Sequence, residues 1–503
     1  MKAQKSIILI TVDCLRADHV GFMGYSRPTT PFMDSLAAES FVFPEAIVAG
    51  APTYYSFPAI MASRYPLALG RDCVGLAPNE PCLASVLKQA GYATGAFSAA
   101  NPYLATRFGY DEGFDVFRDF WDEPPSAPAY TKPTGGATWK TNLNNSLKSL
   151  SSYLGPLGAM YDELYFQYCQ RRNTANCSYD TLRCFPAADA IVDHALEWLA
   201  TAQPGPFFLW LHLMDPHAPF YPNEESLKLM GGAQATPLRA RYLNSFWYRS
   251  DIGPRRLASH RDEIIGLYDA GIRWVDVQMA RLVDVLRLRN LWDDCVFAFT
   301  ADHGEEFLEH GGRLHPPTRL TEELIHVPLL VRAPQAAHQK PGDSPFSLLH
   351  LAPTLLDAAG VKSPAEFRGR SYWEQMQKGG DYGEVAIAES ISGCLNPYSF
   401  ENRLGPRALA VRESRFKLLV QFDPPADVLY DLELDPGEQR PLPRDAERHV
   451  RQRLLHRAHE HLQRTIQQRD DGLRLQARLR ELRLEWSKPA SERFEAKVSP
   501  FAS

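Results

Sequence analysis

The chain has 503 residues, 45% of them hydrophobic, and a formal net charge of −6. That length supports one large core with appendages. The mild acidity offers no general attraction to nucleic acid or to an anionic membrane surface, and no stretch approaches the ~20 apolar residues of a membrane-spanning helix. Eight cysteines without a CxxC pair are too sparse for a disulfide scaffold. Cys169, Cys177 and Cys184 are close enough in sequence for a local bridge or metal clip, with reduced thiols the plainer reading. Cytoplasm is the expected location.

Lys2 and Lys5 precede the apolar run Ser6–Val12. The run is short, ends at Asp13 and has no small-residue cleavage site behind it, so it reads as a buried strand that delivers a carboxylate. Thr30–Glu39 and Cys82–Ala90 read as helices and Ala93–Phe97 as a short strand. This alternation predicts a parallel sheet wrapped by helices. Residues 123–188 break the rhythm with Pro124, Pro125, Pro128, Pro133 and Gly135–Gly136, followed by a helical stretch around Tyr161–Arg172. They read as an insertion, and 222–254 as a second one, both expected to cover the site.

Between and beyond them the alternation resumes. Asp189–Ala200 and Arg261–Arg287 are amphipathic helices, and Pro206–His212, Val296–Thr300 and Val327–Val331 are strands. Ser347–Ala359 continues the same domain. From about Val385 short antiparallel strands take over: Ala408–Arg412, Phe416–Gln421 and Val428–Asp431. The expected organisation is a catalytic α/β domain over 1–384, an antiparallel subdomain over 385–442 and a charged helical tail over 443–503. The tail offers an apolar stripe to the body, or to a second copy of the chain.

Three segments carry chemistry. They are Val12-Asp13-Cys14-Leu15-Arg16-Ala17-Asp18-His19, the stretch Ala51-Pro52-Thr53 to Met61, and Thr300-Ala301-Asp302-His303-Gly304-Glu305. Asp13 and Asp302-His303 stand where strands end, the place where parallel α/β sheets gather ligands. Two carboxylates and an imidazole suit one divalent cation such as Mg, Mn, Ca or Zn. A threonine hydroxyl on such an ion becomes a nucleophile without a neighbouring base.

These segments resemble the sulfatase-like branch of the alkaline phosphatase superfamily. Asp13–Asp18 is similar to the family's opening metal motif, Pro28–Ala37 to the following turn and helix, and Ala59–Pro66 to the helix after the nucleophile. Phe207–Phe220, with His212, Asp215 and His217, matches the substrate-histidine strand, and Thr300–Glu305 the second metal motif. Leu429–Glu438 matches the signature of the C-terminal subdomain. The resemblance implies a large, mostly parallel central sheet between helices and a smaller antiparallel subdomain. It implies Thr53 as nucleophile and a single metal on Asp13, Thr53, Asp302 and His303. It places His217 as a substrate contact or leaving-group acid, and His315, Asn101 and Arg16 as substrate contacts. For Arg16 a buried ion pair is an equal reading, and for His315 a second metal is an alternative.

Departures shape the expected substrate. Formylglycine sulfatases carry Cys or Ser in C/S-x-P-x-R, whereas this chain reads Thr53-Tyr54-Tyr55-Ser56-Phe57. Threonine cannot become that aldehyde. The usual second aspartate of the first motif is Cys14, and the family's Lys-x-His segment is replaced near Phe97–Asn101. The expectation is a small-molecule phosphoester hydrolase or phosphotransferase working through a covalent threonine intermediate. A sulfuric ester hydrolase using Thr53 directly is the alternative, and a catalytically silent metal-binding homologue the rival from another class. Ser56 is expected to be a helix-capping or first-turn residue, His310 a surface turn residue, and His350 a buried structural histidine.

Overall fold

The computed structural model describes residues 4–487 apart from 122–159, 161, 162, 165, 169, 171–176, 202–204, 232–234, 318, 335–343, 379–384 and 395. Eight strands form the main sheet: Ser6–Val12 (β1), Phe41–Ile47 (β2), Ala93–Ser98 (β3), Val116–Arg118 (β4), Phe207–Leu213 (β5), Cys295–Ala301 (β6), His326–Arg332 (β7) and Phe346–Ser347 (β8). Their spatial order is β8-β2-β7-β6-β1-β5-β3-β4. All pairings are parallel except those of β7, which runs antiparallel to both β2 and β6. The strands β1, β5 and β6 are buried along their whole length. That is why they read as continuous apolar runs rather than alternating ones. The strand β2 went unread because Pro44 and Glu45 interrupt its apolar pattern, and its register slips between Phe43 and Ala46.

Two groups of helices sandwich the sheet. One comprises Pro31–Ala37 (α1), Ala188–Thr201 (α4) and the 28-residue Arg261–Leu288 (α5); the other comprises Thr53–Ala62 (α2), Leu83–Gln89 (α3) and Leu351–Ala358 (α6). Helix α5 buries Ile264, Leu267, Tyr268, Ile272, Val275, Met279 and Leu282, one stripe at helical spacing. Gly271 lies in that stripe because a Cβ there would stand 2.5 Å from the Asp215 carbonyl. The close approach seats the loop after β5 on the helix.

The C-terminal sheet is an antiparallel meander of Ala386–Ile391, Arg407–Glu413, Phe416–Phe422 and Pro425–Asp431. Lys417, fully buried, joins it to the large domain by bridging Glu322 (2.9 Å) and Glu438 (3.0 Å). The tail, expected as one helix, is two: Arg448–Gln467 (α7) and Asp471–Ser487 (α8). Val450, Leu454 and Ala458 of α7 pack on Leu409, Leu418 and Val420 of the meander. Leu473 and Ala477 of α8 rest on Leu69 and Cys73, with Arg474–Asp72 and Arg480–Glu112 ion pairs. Much of the apolar stripe offered to a second copy is therefore spent on the chain's own body.

The helix expected at Tyr161–Arg172 lies mostly outside the described residues, although Glu163, Leu164 and Phe166–Tyr168 are helical. The described parts of the two insertions meet one another. Arg249 pairs with Glu163 at 2.9 Å, and the Tyr179 hydroxyl donates to the Ala235 carbonyl at 2.6 Å. Cys169 is outside the described residues; Cys177 and Cys184 are free thiols. No helix among the described residues is long and apolar enough to cross a membrane.

Candidate active site

Four adjacent strands deliver the polar groups, each from its carboxyl end. In spatial order β6 presents Asp302 and His303, β1 presents Asp13, β5 presents His212, and the turn after β3 presents Asn101. Thr53 comes from outside the sheet, as the first residue of α2. Asp13, Asp302, His303 and His212 have no solvent exposure.

The Thr53 Oγ1 lies 3.2 Å from His303 Nε2. The same nitrogen is 3.6 Å from Asp13 Oδ1 and 3.7 Å from Asp302 Oδ2. The other ring nitrogen of His303 is 2.8 Å from the Gly304 carbonyl, which leaves Nε2 as the acceptor facing the carboxylates. Gly304 fits only as glycine, because a Cβ would stand 1.9 Å from the Glu323 carbonyl. The structure thus brings together all four residues read as metal ligands. Ser56, read as a helix-capping or first-turn residue, is the latter: it lies in the first turn of α2, its hydroxyl donates to the Thr53 carbonyl at 3.2 Å, and Pro52 is the capping residue.

Asn101 and Arg16, expected as substrate contacts, both bond groups of the protein itself. Asn101 Nδ2 donates to Asp13 Oδ2 at 2.7 Å and approaches His212 Nε2 at 3.3 Å, so it holds the carboxylate. Arg16 is held by neighbouring acidic side chains and a carbonyl. It forks onto Asp18, pairs with Glu309 at 2.7 Å and donates to the Glu305 carbonyl at 3.0 Å. The buried ion pair, its equal reading from the sequence, is thus present with Glu309.

His217 and His315 lie beside this group with their rings tilted to one another, centroids 5.2 Å apart, and His315 is 4.8 Å from His303. The Nδ1 of His217 is buried without a hydrogen-bond partner. Phe185, at the end of the first insertion, meets His217 edge-on at 6.1 Å, and the Arg249 carbonyl of the second insertion accepts from Arg313, two residues before His315. Both insertions therefore reach the side of the sheet that carries Asp302. His310 is not a free surface residue; it faces the buried Glu323 at 3.4 Å. His350 is buried, takes the Arg370 amide on Nδ1 at 3.1 Å and packs on Tyr372.

Burial alone would raise the Asp13 carboxyl, but His217, His212 and His303 around it hold it well below the usual carboxylate range. Burial pushes Asp302 the other way, and the charge on Asp13 adds to the rise. Burial, then the neighbouring His315, lowers the His303 imidazole to about 3, so it is neutral at physiological pH. Burial also lowers His217, against the pull of Asp13. His315 goes up despite its burial because Glu305 is beside it.

Two residues named within the motifs were given no individual role from the sequence. His212 sits inside the apolar run Phe207–Leu213, where a polar residue is itself a signal. Its Nδ1 is 3.0 Å from Thr11 Oγ1 and its Nε2 is 3.4 Å from Asp13 Oδ2. Glu305 is the last residue of the second metal motif. It is fully buried, and both its carboxylate oxygens lack a hydrogen bond.

A mostly parallel sheet with carboxylates and a hydroxyl at its strand ends, and an antiparallel subdomain behind it, defines an alkaline-phosphatase-like fold. The sulfatase family model matches residues 5–361, and the model for the C-terminal region of N-sulphoglucosamine sulphohydrolase matches 318–468. The chain belongs to the sulfatase family. An ulvan-active sulfatase of Formosa agariphila is 22% identical over 74% of this chain and 65% of its own length, and arylsulfatase K of Bos taurus 24% identical over 49% and 50%. The chain thus spans about half to two thirds of these curated relatives. Among solved structures, a protein in complex with its substrate D-glucosamine-2-N,6-O-disulfate superposes with a TM-score of 0.67 at 17% identity, covering 93% of this chain and 99% of the other. The phosphonate monoester hydrolase of Agrobacterium radiobacter superposes with a TM-score of 0.63 at 19% identity, covering 92% and 96%.

Proposed function

We propose that this chain hydrolyses a small ester of a tetrahedral oxyanion, sulfuric or phosphoric, by direct attack of Thr53. The observation that carries the reading is the Thr53 hydroxyl at the amino end of α2, 3.2 Å from His303 and beside Asp13 and Asp302. Helix amino termini favour developing negative charge, which an attacking alkoxide carries.

Asp13, Thr53, Asp302 and His303 fit a divalent ion. Asp302 Oδ2 is buried without a hydrogen bond, and the donors are carboxylate, hydroxyl and neutral imidazole. Such an ion, when bound, supplies positive charge that favours the ionised hydroxyl and offsets charge on the ester oxygens. The chain's own residues do the rest. Asn101 and His212 fix the Asp13 carboxylate. His303 keeps an unprotonated Nε2 toward Thr53. His217 and His315 meet the oxygens of the ester or of the departing alcohol, and water or an acceptor alcohol releases the group from Thr53.

The relatives named above are mostly sulfatases, so the preference for phosphoric esters drawn from the threonine gains nothing from them and the sulfuric ester stands first. A phosphoric or phosphonic ester is the second reading. It is favoured by the threonine at the nucleophile position and by a structural neighbour named for phosphonate monoesters. Turnover of matched aryl sulfate, phosphate monoester, phosphodiester and phosphonate substrates ranks them. Mass spectrometry of acid-quenched enzyme locates the trapped group. No turnover on the whole panel, with metal present, would overturn the hydrolase reading in favour of a silent metal-binding homologue.

A further inference from the structure

We propose a second metal site beside the first, held by Cys14, His217 and His315 and suited to a soft divalent ion such as zinc. It rests on the reading above for its neighbour, and it deepens it by naming a further ion in the same centre.

The donors are already gathered. The Cys14 Sγ and one ring nitrogen each of His217 and His315 all lie within 4.8 Å of one another. Cys14 Sγ is 3.4 Å from His315 Nδ1, and the same nitrogen is 3.4 Å from Glu305 Oε1. Cys14 takes a left-handed backbone conformation (φ 60°), uncommon for a residue with a side chain, and its Sγ lies 3.1 Å from Asp13 Oδ1. The thiol therefore stands between two donor groups, since Asp13, Cys14 and His303 also lie within reach of one ion.

Two independent observations point to a ligand here. Glu305 is fully buried beside His315, yet neither carboxylate oxygen makes a hydrogen bond. His217 Nδ1 is likewise buried and unpartnered. The charged neighbour of Glu305 is His315 at 3.4 Å, a pair too long for a good hydrogen bond, and a cation in reach of a buried carboxylate left in that state lowers its cost.

Donor chemistry selects the occupant. Thiolate with two imidazoles is a zinc-type set, whereas calcium and magnesium demand oxygen. Ions held as neighbours by shared or adjoining ligands commonly clamp the attacking and the leaving oxygens of one displacement. His217 and His315 would then meet the departing oxygen through the ion rather than directly.

The test is metal analysis of the purified full chain after zinc loading and dialysis, with cobalt(II) as the optical probe. Wild type is expected to hold a second equivalent that Cys14→Ser and His315→Gln lose, while Asp302→Asn loses the other one. Cobalt-loaded wild type and Asp302→Asn should both show a thiolate-to-cobalt charge-transfer band in the near ultraviolet, absent from Cys14→Ser. The wild-type cobalt titration reads the site without any variant, should one fail to fold. A single equivalent in wild type, or no thiolate band, overturns the second site and leaves the Thr53 reading standing. A second equivalent together with full turnover in Thr53→Ala overturns the nucleophile and leaves the site.

Discussion

The Asn101 amide donates to Asp13 Oδ2 across 2.7 Å, tying the turn after β3 to the carboxylate at the end of β1. Between them stands β5, whose His212 reaches the same oxygen at 3.4 Å. Asn101 therefore acts through Asp13. Asn101→Ala should weaken metal binding by roughly 10- to 100-fold, the scale for groups that orient a ligand. Turnover should recover at high metal concentration. A metal titration read by activity and by calorimetry checks this. Unchanged metal affinity with a raised KM would return Asn101 to a substrate contact.

Thr53 and Ser56 should part company on substitution. Thr53→Ala should lower kcat on the order of 10⁴-fold or more, as nucleophile deletions do. Metal should stay bound through Asp13, Asp302 and His303. Thr53→Ser should keep part of the rate because the hydroxyl survives. Ser56→Ala removes a buried hydroxyl whose one bond goes to the Thr53 carbonyl. It should cost about 1 kcal/mol of stability and little rate. Kinetics and urea unfolding on the three variants decide it. A dead Ser56→Ala beside an active Thr53→Ala would reassign the nucleophile.

Asp302→Asn should empty the first metal site without unfolding the chain. Asp302 Oδ2 has no hydrogen bond, and burial and Asp13 both oppose its charge. The neutral amide should therefore leave the metal-free protein at least as stable as wild type. Thermal melts with and without chelator check it. A large loss of Tm in the chelated variant would make Asp302 structural.

What the sequence made legible follows from how far each signal travels along the chain. The strands β1, β5 and β6 show as apolar runs, and Asp13, Asp302 and His303 sit directly at their ends, so local pattern found them. The position of Thr53 is a matter of counting along one helix. Arg16 was ambiguous because its partner Glu309 lies 293 residues away, and Asn101 because its partner lies 88 residues back and two strands over. The split between α7 and α8 was hidden because both carry the same Arg and Leu pattern across the break at Gln468–Asp470.

Asp215 links the site to stability through pH. It is buried on the loop that Gly271 seats against α5. One carboxylate oxygen accepts the Ala188 amide at 3.2 Å, at the start of α4, and the other has no partner. Burial pushes its pKa up to about 7, only partly offset by Arg183. The unfolded chain gives up this proton near the ordinary value of ~3.9. Below that pH both states are protonated and Asp215 contributes nothing to the pH dependence. Between ~3.9 and about 7 the folded protein keeps a proton that the unfolded chain has lost, so stability falls as pH rises. Above about 7 the penalty is complete, on the order of a few kcal/mol, because each tenfold difference in proton affinity between the two states is worth ~1.4 kcal/mol. Asp215→Asn keeps an acceptor for the Ala188 amide and removes the charge. It should raise stability by roughly that amount at about pH 8 and by little near pH 4. Urea unfolding of both proteins across this range measures the difference. An equal gain at both ends would mean that Asp215 is neutral throughout and that the substitution acts by packing alone.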